Sequence, residues 1–317
     1  MRKISAKRAT VQVAKKFVHP SKFLQLLRLA RKSKHSPRAI DDPQLRVYSQ
    51  ILAGDFLHLG YFDDPSIAPE ALSLHDIEQA QLRYAQLLLE QMSDKDAPVL
   101  DVGCGMGGLL SLLLEKGFSP VALTPDRAQA LYITKKYPTI PIIEGKFEEM
   151  PEERYKTSFG TIITSESFQY LDLNKALSMV DRLLTAGGRW IVSDVFRIRK
   201  TAERRSGHMW EDFLEKIQET SCKIIYQQDI TENVLPTLGY VDMWGRKAGL
   251  PAITFSIEKL QKKHPAIYFL LEELIEDLKL YVTSHLDLIS PEIYVREKKY
   301  MLLVMEKVSK ATPSMQH

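Results

Sequence analysis

Asp101 closes a short apolar run, Val99-Leu100, and leads through Val102 into Gly103-Cys104-Gly105-Met106-Gly107-Gly108. Glycines let a backbone turn tightly and let a ligand lie against it. The apolar stretch from about Leu109 to Leu114, stopped by Gly117, reads as a helix. Its start offers unpaired N–H groups and a partial positive charge. The combination is the first strand–loop–helix of a nucleotide-binding α/β sheet. The glycines read as G-x-G-x-G from Gly103 to Gly107, against the G-x-G-x-x-G that seats a dinucleotide pyrophosphate. No Lys-Ser or Lys-Thr follows, which excludes a phosphate loop of the Walker type. Cys104, inside the loop, reads as a small filler rather than a nucleophile. A second reactive group, Glu166 with Tyr170, follows the apolar run Thr161–Thr164. In open α/β sheets ligands bind at the carboxyl ends of strands, so this acid and this phenol are site candidates by position and type.

These residues need a sheet to hold them. A helix over about Leu72–Met92 precedes the first strand. Val121–Thr124, Ile140–Ile143, Thr161–Thr164 and the stretch after Gly187-Gly188 read as the next four strands, with the two glycines as the turn into the fifth. Asp126 is placed to accept the first free N–H groups of the following helix. Lys299–Glu306 reads as a buried final strand, and the tail after Ser309 has no such pattern. The expected fold is α/β: a Rossmann-like, seven-stranded, mostly parallel sheet with its last strand antiparallel, and a helical cap. The expected divisions are a basic arm over 1–43, the core over 44–198, a helical cap and substrate region over 199–292, the final strand over 293–308, and the tail over 309–317.

Composition narrows the function classes. The chain has 317 residues, 44% hydrophobic, with a net charge of +3. Residues 1–40 hold twelve Lys or Arg and no acid, leaving 31 basic against 40 acidic residues in the remainder. A basic arm thus precedes an acidic body. Lys22, Arg28, Arg31, Lys32 and Lys34 interleave with Phe23, Leu24, Leu26, Leu27 and Ala30 behind a candidate cap at Ser21. Three readings stay open for this arm: a helix packed on its own domain, contact with an anionic membrane surface, or a targeting peptide. The acidic body and the lack of an aromatic-rich basic groove argue against nucleic acid. No apolar run is long enough to span a membrane. Two cysteines, Cys104 and Cys222, suit a reducing compartment, and no Cys/His cluster has zinc spacing. The expected location is cytoplasmic, with peripheral membrane contact through the arm as the open question.

The motif Asp-x-Gly-x-Gly-x-Gly after an apolar strand resembles motif I of the class I S-adenosylmethionine (SAM) methyltransferases. There the loop backbone packs on the methionine part of SAM and the acid serves its amino end. The run His58-Leu59-Gly60-Tyr61-Phe62-Asp63 resembles the stretch ahead of motif I in the branch holding cyclopropane-fatty-acid synthases, sterol and tocopherol C-methyltransferases and coclaurine-type N-methyltransferases. The resemblance implies that Tyr48 closes over the SAM carboxylate and that Tyr61 lines the transfer pocket. It places Thr124 and Gln129 in the ribose and methionine region, where most of the superfamily has an acid. Lys146 stands where an acid usually accepts from adenine, so adenine recognition falls to Phe147 and backbone groups. Ser165 is assigned to the cofactor, and Glu166 and Tyr170 to the face shared with the substrate. The expected cofactor is SAM, with no metal. The expected acceptor is a small, lipophilic molecule methylated at carbon, with N- or O-methylation of a polar acceptor and a catalytically silent SAM-binding protein as alternatives.

Overall fold

The structure, a computed structural model, describes residues 54–92, 96–200 and 206–308. The described residues fall into two compact units, one within 54–240 and 291–308, the other within 241–290. In the first unit, helix α1 (Leu74–Glu90) opens on a reciprocal cap between Ser73 and Asp76. Strand β1 (Val99–Val102) and helix α2 (Gly108–Glu115) flank the glycine loop. Then come β2 (Pro120–Thr124), α3 (Arg127–Lys136), β3 (Ile142–Glu144), a short α4 (Glu152–Tyr155), β4 (Phe159–Ser165), α5 (Leu173–Leu183) and β5 (Leu184–Arg197). The unit continues through β6 (His208–Met209), α6 (Trp210–Ile217), β7 (Cys222–Asp229) and α7 (Thr231–Trp244), which runs into the second unit. It ends with α10 (Pro291–Glu297) and β8 (Lys298–Lys307). The second unit is helical, with α8 (Leu250–Lys263) and α9 (Pro265–Ile289) packed as a pair.

The strand order is β3-β2-β1-β4-β5-β8-β7, with β6 beside β5. The pairs among β1 to β6 are parallel, and β8 runs antiparallel between β5 and β7. The order reverses between β1 and β4, the switch point where an open α/β sheet leaves a crevice at its carboxyl edge. The sheet is close to expectation, with two corrections. It has an eighth strand, the two-residue β6, and β7 lies inside the stretch read as helical cap. β7 is an edge strand whose burial alternates only weakly, and Ile225 and Tyr226 are exposed, so its sequence carries little period-two signal.

Gly187-Gly188 do not form the expected helix-to-strand turn. The register jumps from Phe159↔Leu184 to Thr161↔Arg189, so Thr185–Gly188 bulge out of a strand already begun. Asp126 accepts from Ala128 and Gln129 N–H, as its position foretold. The core lies between the sheet and α5 and α6. Phe168, Trp190, Phe196 and Phe213 meet there at ring separations of 5.1–6.4 Å, and Trp190 Nε1 donates to Thr164 Oγ1 at 3.1 Å. This packing fixes the ends of β4 and β5. No helix among the described residues is long and apolar enough to cross a membrane.

Candidate active site

The glycine loop is tied to its neighbours by backbone bonds. Gly103 and Cys104 N–H both donate to Leu123 O, at 2.8 and 3.2 Å, which locks the end of β1 to β2. Gly103 adopts φ +77°, and a Cβ there would lie 2.5 Å from Ser167 Cβ. Ser167 Oγ in turn donates to Val102 O at 2.6 Å, so the turns after β1 and β4 are in direct contact. Gly103→Ala combines a left-handed backbone with a steric overlap, and is expected to cost ~3 kcal/mol. Denaturant melts, with cofactor affinity measured in parallel, check this. The Cys104 thiol is buried and held protonated by desolvation, in keeping with a filler.

Asp101 is 3% exposed, and its Oδ2 has no hydrogen-bond partner among the described residues. Burial alone pushes its pKa up to about 7. A buried carboxylate without a partner is costly and is resolved by a cation or a donor. The ammonium end of SAM is such a group; at Gly103 and Gly105 the absent Cβ instead admits the side chains of Ser167 and Leu57, which pack against the loop. The residues present fit the cofactor.

Thr124 and Gln129 are brought together. Thr124 Oγ1 donates to Gln129 Oε1 at 2.7 Å and accepts from Asp126 N–H at 3.1 Å. The hydroxyl is thus occupied, which leaves the Gln129 amide N–H₂ as the free polar group of the pair. Phe147 corrects the expectation of an adenine-facing ring: it is 1% exposed and packed in the main core cluster, so only its backbone is available to a ligand. Tyr48 lies outside the described residues.

Glu166 follows β4 at φ +49°, a left-handed conformation that a non-glycine residue adopts at a cost of ~1–3 kcal/mol. Its surroundings hold it there. Oε1 accepts from Leu59 N–H at 2.8 Å and from Tyr300 Oη–H at 2.9 Å, and its own N–H donates to Ser193 O at 3.0 Å. Burial raises the carboxyl pKa, opposed by those two hydrogen bonds. Asp194, fully buried at the end of β5, accepts from Gln169 N–H at 3.1 Å and Val195 N–H at 2.7 Å. Desolvation first, with the Glu166 charge among the lesser causes, pushes it up to about 8. No Lys, Arg or His among the described residues pairs with either acid. The site therefore places two carboxyl groups, unpaired with any cation, at the ends of adjacent strands.

Ser165 Oγ lies 3.0 Å from Tyr84 Oη, so it is linked to this network. Tyr170 is 76% exposed at the rim; the Asp194 and Glu166 charges add to desolvation in raising its phenol. Tyr61 is placed elsewhere. Its ring lies under Arg83, 5.8 Å from the guanidinium carbon, and lines a cavity of about 460 Å³ walled by α1 and the segment 62–72. Neither the glycine loop nor Glu166 lines that cavity. The residue of the His58–Asp63 run that does reach the site is Leu59, through its backbone. That run is clamped by Gln81 Nε2, which donates to His58 O at 2.7 Å, and by Thr237 Oγ1, which accepts from Gly60 N–H at 3.0 Å. The His58 ring stacks on Tyr84 at 4.2 Å, and burial lowers its pKa to about 4. Sequence reasoning missed Tyr84, Ser167 and Tyr300. Ser167 adjoins Glu166 in the motif and could have been named from it; the two tyrosines carry no local signal. Among the described residues no group of three or more His, Cys, Asp or Glu could hold a metal ion.

Comparison with known proteins agrees with this geometry. Residues 100–192 match the family described as Methyltransferase domain. An uncharacterized methyltransferase of Alkaliphilus oremlandii is 27% identical over 168 residues, covering 49% of this chain and 73% of that protein. An O-methyltransferase of Pyrenophora dematioidea is 25% identical over 231 residues, covering 67% and 84%. The crystal structure of geranyl diphosphate C-methyltransferase from Streptomyces coelicolor A3(2), in complex with Mg2+, geranyl-S-thiolodiphosphate and S-adenosyl-L-homocysteine, superposes with a TM-score of 0.60 at 16% identity, covering 88% of this chain and 96% of that one. The sheet order, the Asp101 Oδ2 atom without a partner among the described residues and the methyltransferase domain matched over 100–192 are those of the class I SAM methyltransferase fold.

Proposed function

We propose that this methyltransferase is SAM-dependent and methylates a carbon atom of a small, lipophilic acceptor. The observation that carries the reading is the pair Glu166 and Asp194: one half-buried and one fully buried carboxyl group, without a cationic partner among the described residues, toward the carboxyl ends of β4 and β5. Asp101, Gly103, Gly105, Gln129 and Tyr48 hold the cofactor, with Thr124 orienting Gln129. SAM, when bound, supplies a methyl group on a positively charged sulfur. If the acceptor is an alkene, the new C–C bond forms as the S–C bond breaks, and positive charge moves to the acceptor carbon. An ionised Glu166 stabilises that charge and takes the proton whose loss restores the double bond. Tyr170, at the rim, contributes a π-face to the same charge. The geranyl diphosphate C-methyltransferase superposition supports a carbon acceptor. The Pyrenophora O-methyltransferase relative supports a second reading, methylation of a hydroxyl, in which Glu166 or Asp194 acts only as base. We assign acceptor choice to the region 199–292.

Transfer of label from [methyl-labelled] SAM to a cell extract, split into organic and aqueous fractions, tests the proposal. Label is expected in the organic fraction. Label confined to the aqueous fraction overturns the lipophilic acceptor. SAM binding with no label in either fraction favours the silent-partner alternative.

A further inference from the structure

We propose that Tyr300, held by Tyr84, is a positioning residue for the reaction: it aims the Glu166 carboxylate at the acceptor. This rests on the role given to Glu166 above and assigns a function to two residues outside any motif of the site.

The two phenols converge on one point from different parts of the fold. Tyr300 lies on β8 and Tyr84 on α1, and each ring is 1% exposed. Tyr300 Oη–H donates to Glu166 Oε1 at 2.9 Å. Tyr84 Oη is 2.9 Å from Tyr300 Oη, 3.0 Å from Ser165 Oγ and 3.2 Å from Ser193 O, with the two rings edge to face at 6.2 Å. The direction of donation is set by what each group can do. An ionised carboxylate only accepts, so Tyr300 must spend its one proton on Glu166. With that proton spent, Tyr300 Oη accepts from Tyr84, whose one proton is shared with Ser193 O on β5 while its lone pairs face the Ser165 hydroxyl. Glu166 is thus tied to β8 through Tyr300 and to the entering segment through Leu59 N–H.

Packing alone gives no reason for these hydroxyls. A phenylalanine at either position would fill the same interior without burying a polar group, and burial of a hydroxyl is unfavourable unless it is bonded. The Tyr300 hydroxyl instead ends on Glu166, whose backbone is held in a left-handed conformation, and the Tyr84 hydroxyl ends on Tyr300. Glu166 needs such support, because two bonds to a single oxygen leave Oε2 free and fix the plane of the carboxyl group. The other titratable groups that feel Glu166 are Tyr170, Asp194 and Tyr294 of α10, none of which can supply a positive charge. A neutral donor is therefore the means by which this site favours the ionised form without placing a cation against the sulfonium of SAM.

The test is infrared titration of the Glu166 carboxyl band, identified by its loss in Glu166→Gln, alongside label transfer from SAM to the organic extract. Tyr300→Phe keeps the ring and removes the donor. The expected result is an upward shift of about one pH unit in the Glu166 midpoint and a fall of ~10–100-fold in transfer rate, with SAM affinity within about twofold of wild type. Tyr84→Phe is expected to move both readouts the same way by a smaller amount, and it carries the test if Tyr300→Phe does not fold. In the Glu166→Gln background, Tyr300→Phe should change the transfer rate no further. An unmoved midpoint and rate in the folded variants, or effects that simply add to those of Glu166→Gln, overturn the positioning role. Wild-type transfer by Glu166→Gln alone would instead overturn the role of Glu166, while a shifted midpoint would still show that Tyr300 holds it.

Discussion

Asp101→Asn should abolish useful SAM binding and at the same time stabilise the fold when measured without cofactor. The two effects share one cause. Asp101 Oδ2 has no hydrogen-bond partner among the described residues, and burial raises the carboxyl pKa to about 7 from the ordinary carboxylate range. The folded protein therefore holds a proton that the unfolded chain releases near pH 4. Between those values the unfolded state binds fewer protons, so stability falls as pH rises from about 4 to about 7 and stays low above it. Asparagine cannot ionise, so the variant escapes this loss. At pH 8 it should unfold at higher denaturant concentration than wild type, by ~2–4 kcal/mol, and the gap should close toward pH 4. The cofactor's ammonium needs the ionised acid. Wild-type affinity for SAM should then rise by up to tenfold per pH unit below pH 7 and level off above it, with a proton released on binding near pH 6. Calorimetry in two buffers of different ionisation enthalpy reads that proton directly. Asp101→Asn should bind at least ~100-fold more weakly at pH 8, with no pH dependence from this group. Unchanged affinity in the variant would remove Asp101 from the cofactor site.

What the sequence made legible is what local pattern encodes. An apolar run ending in Asp101 and glycines specifies strand, loop and helix, because tight turns at positive φ and ligand approach both call for glycine. Asp126 is legible because a cap acts over three residues. The final strand is legible because Tyr300–Met305 is an apolar run that a sheet must bury. Long-range geometry is not written locally. Tyr300 reaches Glu166 across 134 residues of chain, and Tyr84 reaches Ser165 across 81. Phe147 shows the converse limit: an aromatic beside a cofactor turn has the same residue type whether it stacks on a base or, as here, fills the core. Tyr61 shows that a motif can reach a site through its backbone rather than its aromatic ring. Leu59 presents its N–H to the site while the Tyr61 ring packs toward Arg83. The Gly187-Gly188 bulge was hidden because a glycine pair between an amphipathic helix and an apolar run suits a turn and a bulge equally.

Glu166→Gln should leave cofactor binding nearly intact and remove most of the transfer rate. The bonds of Glu166 are to Leu59 N–H and Tyr300 Oη–H, neither of which belongs to the glycine loop, so SAM affinity should stay within about threefold. Glutamine can accept both bonds through Oε1, which preserves the local fold, but it carries no charge and cannot accept a proton. If Glu166 stabilises charge developing on the acceptor, the rate of label transfer should fall ~100–1,000-fold. The pH profile separates this from a steric effect. Burial holds the Glu166 carboxyl above its ordinary value, so wild-type activity should rise with pH through that raised pKa as the acid ionises. The variant should lose this limb and keep any limb that arises from Asp101. Glu166→Asp sharpens the reading: it retains the charge but shortens the side chain by one carbon, so it should keep the limb while losing rate through lost contact with Tyr300. A Glu166→Gln enzyme that transfers label at the wild-type rate, with the acid limb unchanged, would leave Asp194 as the remaining buried carboxyl able to serve the acceptor.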